Sequence, residues 1–185
     1  MKGLTQLEKV AFWHKLAGVE ANPEAGAKQI DFYYSEMDEY EEAKTLSDEF
    51  DAIGDMLFVK LGYEYHTGIV KFEKTLDLVI KSFFDDRTYH LVDCIFEEVL
   101  SSNMTKFCES EGEALATQLY YINEKCLETY ISKVGDYYII KSYIDQLDKK
   151  GKFSFKGKVL KSVKFKEPDF TQIIKEYLML LTHNV

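Results

Sequence analysis

The segment from Ser47 to about Tyr65 constrains the fold more than any other part of the sequence. Read as a helix, it is apolar on nearly every side, which is typical of a buried helix. One of its stripes nevertheless carries Asp48, Asp51 and Asp55. A carboxylate in a dry environment costs several kcal/mol unless a cation or hydrogen bonds compensate it. The sequence therefore predicts a buried helix whose acids have a specific use.

A second acidic group precedes this helix. Glu39 and Glu42 lie three residues apart on a helix expected over 25–44, and Asp51 and Asp55 lie four residues apart on the next one. Both spacings bring the Cβ atoms to about 5–6 Å of each other. If the two helices are antiparallel neighbours, the pairs face each other and offer the oxygen ligands that Mg²⁺ prefers. The alternative is a solvated acidic face.

The rest of the chain predicts a mainly α fold. Two prolines in 185 residues leave room for long helices, and one domain over 1–185 is expected. Four central helices should form a bundle-like core, followed by a small C-terminal β-hairpin. Apolar periodicity predicts helices over 4–16, 25–44, 47–65, 69–83, 91–100, 110–130 and 168–181, and strands within 137–143 and 153–165. The apolar face of the 110–130 helix should comprise Leu115, Leu119, Ile122 and Leu127.

Charge is distributed unevenly along the chain. The net charge is −9, yet residues 149–166 contain eight lysines and no acid. Most of the surface would repel a nucleic acid duplex, so a local anion site is expected and a nucleic acid partner is not. No apolar run reaches the length of a membrane span and the N-terminus lacks a signal-peptide pattern, so we expect a cytoplasmic protein without a membrane partner. The three cysteines have no metal or disulfide spacing and should be reduced.

Histidine spacing gives no sign of a metal site. His14, His66, His90 and His183 form no HxxxH or comparable pattern, and a lone histidine more often packs or caps. His66 is the exception, because it extends the acidic stripe beyond Gly62. It is therefore expected to line the same site as the acids.

Several motifs carry a family resemblance. DEYEEA at 38–43 followed by DAIGDMLFVKLG at 51–62 resembles the paired acidic helices of MazG-like all-α NTP pyrophosphohydrolases, in the phosphoribosyl-ATP pyrophosphohydrolase-like subgroup. NMTKF at 103–107 resembles the NMSK motif of that subgroup, and GKVLKSVKFKEPDF at 157–170 resembles its GKVLK segment and closing signature. VAFWHKLAG at 10–18 resembles its leader. Residues 108–150 match least.

The resemblance implies hydrolysis of a nucleoside triphosphate to the monophosphate and pyrophosphate, with Mg²⁺ or Mn²⁺ on the acidic helices. A homodimer or higher homo-oligomer is also implied. Asp38 departs from the usual glutamate of the motif and would act as a general base or orient water, together with Glu39. Asp48 competes with Asp55 for the fourth ligand position. The implied metal ligands are Glu39, Glu42, Asp51 and either Asp55 or Asp48.

The anion-binding half of the site would come from later motifs. Asn103 would supply a neutral hydrogen bond, and Lys106, Lys158 and Lys161 would hold phosphate oxygens as point charges. The remaining lysines of the block are expected to be solvated. A protein that keeps the nucleotide site but no longer catalyses is the alternative function.

Overall fold

A computed structural model of the chain describes residues 1, 3–70 and 74–182. Within these ranges the chain is mainly helical, as predicted, with seven α-helices, one π-helical turn and four short strands. The helices are α1 Gln6–Leu16, α2 Pro23–Glu42, α3 Leu46–Thr67, α4 Thr75–Phe83, α5 His90–Met104, α6 Glu111–Tyr120 and α7 Thr171–Thr182. The π-helical turn is Tyr121–Lys125, and the strands are β1 Thr129–Val134, β2 Tyr137–Ser142, β3 Gln146–Leu147 and β4 Phe153–Ser154.

The chain packs as two compact units. Unit 1 comprises residues 1–14, 19–101 and 168–185, and unit 2 comprises residues 15–18 and 102–167. This division leaves the expectation of one domain over 1–185 as a prediction. Among the described residues, no helix combines the length and the apolarity needed to cross a membrane.

The centre of unit 1 is a helical hairpin made of α2 and α3. Asn22 caps the start of α2 by accepting a hydrogen bond from the Ala25 N–H at 2.8 Å. The first turn of α2 packs against the last turn of α3, since a Cβ on Gly26 would lie only 2.5 Å from Thr67 Cγ2. The two helices are therefore antiparallel neighbours joined by a turn at residues 43–45, as the sequence predicted.

The core of unit 1 surrounds α3. Phe50 is fully buried, and its ring contacts those of Phe83, Phe84, Phe170 and Tyr177 at centroid distances of 5.6–6.5 Å. Aromatic side chains thus form much of the packing between α3, the end of α4 and α7. The predicted burial of the 47–65 helix is confirmed in part, since eight of its 19 positions are buried and only Ser47 and Asp48 are exposed.

Unit 2 is built around a β-hairpin. Strands β1 and β2 pair antiparallel from Thr129 opposite Ser142 to Val134 opposite Tyr137, and Gly135 takes a positive φ of 58° in the turn. Helix α6 buries Ala114 and Thr117, and it also buries Glu113, whose carboxylate accepts a hydrogen bond from the Ser162 hydroxyl at 2.5 Å. Strands β3 and β4 form a second, two-residue pairing.

The helix predicted over 110–130 is wrong beyond Lys125. Helix α6 ends at Tyr120, a π-helical turn follows, and Cys126 takes a left-handed φ of 56° before β1 begins. The predicted apolar face is wrong as well, because three of its four members are between 45% and 57% exposed and only Leu127 is buried. The helix instead buries the face on which Glu113 is held by Ser162 and by Lys164.

Two other local predictions need correction. Strand structure within 153–165 is limited to β4 and an isolated bridge at Val159, because Gly157, at φ 82°, turns the chain. The helix predicted from residue 69 begins at Thr75 in the described part of the chain, and Phe72, which was expected in its core, lies outside the described residues. The three cysteines are free, and two of them, Cys94 and Cys126, are exposed.

Replacing Gly54 by Ala should destabilise the fold. The added Cβ would lie 2.4 Å from Val99 Cγ2 and 3.1 Å from Ile95 Cγ2, and overpacking of this kind costs about 1–3 kcal/mol. Gly112→Ala is the matched control, because this exposed helical glycine has nothing within 4 Å of its Cβ position. It should raise the free energy of unfolding by about 0.5–1 kcal/mol. Urea denaturation measures both, and equal effects would contradict the packing described for Gly54.

Candidate functional site

The predicted metal ligands lie on the hairpin of α2 and α3, near the turn. Because the start of α2 packs against the end of α3, Glu39 and Glu42 at the end of α2 lie level with the first turns of α3, which carry Asp51 and Asp55. Glu39 and Glu42 are exposed, whereas Asp51 and Asp55 are half-buried. Asp38 is exposed on α2. The backbone therefore brings both carboxylate pairs to one end of the hairpin.

The donors fit a hard cation in kind, because all four are carboxylates, the ligand type that Mg²⁺ prefers. Their side chains as placed do not converge: within the described ranges, no three His, Cys, Asp or Glu side chains are grouped closely enough to hold a metal ion. An ion would have to draw the exposed Glu39 and Glu42 towards α3. The long, solvated glutamate side chains are the ones free to make that movement.

Asp48 has a structural role that explains its position. The N-cap of α3 is Thr45, two residues before the predicted start of the helix at Ser47, and Thr45 and Asp48 form a capping box. Asp48 Oδ2 accepts hydrogen bonds from the backbone N–H groups of Lys44 and Thr45 at 3.2 and 3.0 Å. Hydrogen bonds from the Thr45 side chain, and then from the Lys44 backbone, lower the pKa of Asp48. Of the two competing ligand assignments, Asp55 is the one whose carboxylate is not committed to a helix cap.

His66 lies at the opposite end of α3 and is buried, with 6% of its surface exposed. It contacts a second buried histidine, His14, with ring centroids 4.6 Å apart. Burial lowers the pKa of both groups, and the nearby His66 lowers that of His14 further, to about 3. The prediction that His14 is an isolated packing residue overlooked this pair. Spacing along the chain gave no signal for it, since 52 positions separate the two residues.

Asn103 and Lys106 lie in unit 2 at the end of α5 and in the turn that follows it. Asn103 is buried with 5% exposure, and Lys106 is half-buried. The Lys106 carbonyl accepts a hydrogen bond from the Ser162 N–H at 3.2 Å. This bond joins the two motifs, NMTKF and the GKVLK segment, that carried the family resemblance.

The two lysines of the GKVLK segment have different surroundings. Lys158 is half-buried, and burial, followed by the charge of Lys152, lowers its pKa. Lys161 is exposed, pairs with Glu167 at 3.0 Å, and lies 4.0 Å from the centroid of the Phe165 ring. Lys158 is thus the better placed of the two to receive an anion, because Lys161 already has a carboxylate partner.

Lys141 is a candidate that the sequence motifs missed. It lies on β2 with only 7% of its surface exposed, and burial lowers its pKa. Its Nζ atom is 2.9 Å from the position that a Cβ on Gly18 would take. The signal available in the sequence was its position two residues after Ile139, since residues two apart in a strand point to the same face.

The predicted site residues thus fall into two groups. Unit 1 contains all the carboxylates and His66, and unit 2 contains Asn103, Lys106, Lys158 and Lys161. Comparison of the chain with protein-family models, with curated proteins and with solved structures found no match. The family resemblance therefore stays an expectation drawn from the motifs.

Replacing Asp48 by Ala should destabilise the protein through loss of the cap. The change removes the acceptor of the Lys44 and Thr45 N–H groups and should lower the midpoint of urea unfolding, whereas Ser47→Ala, one residue earlier and outside the capping box, should be close to neutral. The folded-state pKa of Asp48 is lowered, so its contribution is present above its usual value of 3.8 and is lost as the pH falls through the lowered value. Urea denaturation at pH 7 and pH 3 measures this. A larger deficit for Ser47→Ala than for Asp48→Ala at pH 7 would contradict the cap assignment.

Proposed function

We propose that this chain is a Mg²⁺-dependent nucleoside triphosphate pyrophosphohydrolase with a bundle-like helical core, converting a (d)NTP to the (d)NMP and pyrophosphate. The observation that carries the proposal is the position of two carboxylate pairs, one from each helix of an antiparallel hairpin, at the same end of that hairpin. The motifs at 38–43, 51–62, 103–107 and 157–170 support the same activity.

Each carboxylate has a defined task in this proposal. Glu39, Glu42, Asp51 and Asp55 would hold the metal, which when bound neutralises charge on the phosphate oxygens. The half-buried Asp51 and Asp55 are fixed by the packing of α3, and the exposed glutamates complete the ligand set. Asp38, exposed on α2, would accept a proton from the attacking water or orient it.

Unit 2 would supply an anion-binding surface of its own, formed by residues of the later motifs. Lys158 is the main candidate, because its ammonium group is half-buried without an ion pair to a described carboxylate. A phosphate oxygen would supply the counter-charge and offset the cost of burying the ammonium group. Asn103 and Lys106 would add hydrogen bonds, and Lys161 would contribute only after leaving Glu167. A cytoplasmic homodimer or higher homo-oligomer belongs to the same proposal.

A nucleotide-binding protein without catalysis is the second candidate. It is favoured by one observation, namely that the carboxylates as placed form no group of three metal ligands in the described part of the chain. On this alternative the lysines would still bind a triphosphate, but no ion would neutralise the developing charge. Tight nucleotide binding without product distinguishes it from the enzyme.

The proposed reaction predicts pyrophosphate as the inorganic product. The full chain should be incubated with each canonical (d)NTP and Mg²⁺, and the products separated by anion exchange. At least one nucleotide should give the monophosphate and pyrophosphate in equal amounts, and EDTA should abolish turnover. Orthophosphate as the sole inorganic product, or no turnover with any nucleotide, would contradict the proposal.

Substitution of single carboxylates tests the ligand assignment. Asp55→Asn and Glu42→Gln should each lower kcat at least about 100-fold, because each removes a charged metal ligand. Glu41→Gln is the matched control, since Glu41 is an exposed neighbour of Glu42 outside the proposed ligand set. It should keep kcat within about twofold of the unsubstituted protein. Full activity of Asp55→Asn would remove Asp55 from the site, and the melting temperatures check that all three variants fold.

A further inference from the structure

His14 on α1 and His66 on α3 bring two imidazole rings into contact inside unit 1. The ring centroids are 4.6 Å apart with their planes at 75°, and the residues are 3% and 6% exposed. All four ring nitrogens are buried, and none has a hydrogen-bond partner among the described residues. Buried polar atoms in native proteins are nearly always bonded, to an ion or a water molecule where no protein group is near. The ring nitrogens of this pair therefore need a bonding partner, either an ion or a water molecule.

A third polar group, the side-chain amide of Gln29, lies beside the pair. Gln29 Oε1 is 2.7 Å, and His14 Nε2 is 2.9 Å, from the position that a Cβ on Gly62 would take. Gly62 lies four residues before His66 on α3, so both point from the same face of that helix. Gln29 is itself only 7% exposed. An amide oxygen and an imidazole nitrogen thus converge next to the helix face that carries the second imidazole.

The separation of the rings matches that of two histidines on one metal ion. With a metal–nitrogen distance of about 2.0–2.1 Å, the centroid of a ligating imidazole lies roughly 3.2 Å from the metal. Two such rings at a right angle or a tetrahedral angle then have centroids about 4.5–5.2 Å apart. The observed distance of 4.6 Å falls within this interval.

We propose that His14, His66 and Gln29 form a buried site for a borderline divalent metal ion of the zinc class. Imidazole nitrogen favours Zn²⁺, Co²⁺ and Ni²⁺, whereas Mg²⁺ selects oxygen ligands. Three protein donors leave a fourth tetrahedral position for water. This site is distinct from the carboxylates of the proposed pyrophosphohydrolase, and neither assignment depends on the other.

Aromatic side chains form the walls of the site. The Tyr65 ring stacks on His14 at a centroid distance of 5.6 Å, and Phe58 lies on the same imidazole at 6.2 Å. Trp13 packs edge-on against both His14 and Phe58. These contacts fix the ring of His14 and exclude bulk water, so an ion bound there would exchange slowly and add to the packing of α1 against α3.

Metal titration of the full chain tests the site directly. The background should be the double variant H90Q/H183Q, because these are the other two histidines and His90 forms an exposed pair with Glu176 at 2.9 Å. The protein should be refolded with Co²⁺ and then freed of excess ion. We expect one bound equivalent of Co²⁺, with visible absorption bands, that Zn²⁺ displaces and that excess Mg²⁺ does not displace, whereas Mg²⁺ should displace any cobalt held by carboxylates. Zn²⁺ at 100 times its Kd should raise Tm by about 5–10 °C.

Variants separate the three donors from the rest of the surface. H14F and H66F, each in the same background, should lose the bound cobalt while keeping the metal-free Tm within a few degrees, because a phenyl ring replaces unpaired polar atoms by apolar ones of similar shape. Q29L should weaken binding, and Q172L, which changes an exposed glutamine on α7, should not. If H14F fails to fold, the comparison of H66F with the background protein and the comparison of Q29L with Q172L still test the site.

Two results would overturn the proposal. The first is a background protein that binds neither Co²⁺ nor Zn²⁺ after refolding, as expected if the pair holds water only. The second is unchanged affinity for Co²⁺ in both single variants, Q29L and H66F. Pyrophosphohydrolase activity enters neither result, so failure of that assignment leaves this test unchanged.

Discussion

The close packing of α3 against its neighbours is the constraint on which the rest of unit 1 depends. Small residues make it possible: a side chain on Gly54 would collide with Val99, and one on Gly62 with Gln29 and His14. With these glycines the neighbouring helices approach α3 closely enough to bury Phe50 completely. Burial of apolar surface at about 25 cal/mol per Å² then offsets the entropy lost by ordering a 22-residue helix.

This burial also explains why polar groups on α3 have such different surroundings. Asp51 and Asp55 lie on a side of the helix that is only half-buried, although Phe50, Ile53 and Met56 nearby are fully buried. At the other end, α1 and the start of α2 cover the helix, and His66 is left in a dry environment. A charged carboxylate needs contact with water or with compensating groups, whereas an imidazole can become neutral and tolerate a dry environment. The positions of the acids and of the histidine on α3 follow this difference.

Periodicity predicted the helices of unit 1 because apolar residues recur at helical spacing in each of them, and the paired acids were visible because helical spacing is local. Prediction failed where tertiary contacts decide. The segment after Glu111 has an apolar stripe at helical spacing, yet the hydrogen bond between Glu113 and Ser162 selects the opposite face for burial. Lys141 was missed because its burial depends on its sheet neighbours, and the pair of His14 and His66 was missed because residues far apart in sequence meet only in the folded chain.

One helix therefore carries two donor sets of different chemical character. Asp55 and His66 are eleven positions apart on α3, which corresponds to about 16 Å along the helix axis. At that distance two ions would interact only weakly through water and protein at physiological ionic strength. The hard oxygen donors near the turn and the imidazole donors at the far end select different ions. Competition by Mg²⁺ therefore distinguishes the two ends of α3, because Mg²⁺ competes for the carboxylate oxygens and only weakly for imidazole nitrogens.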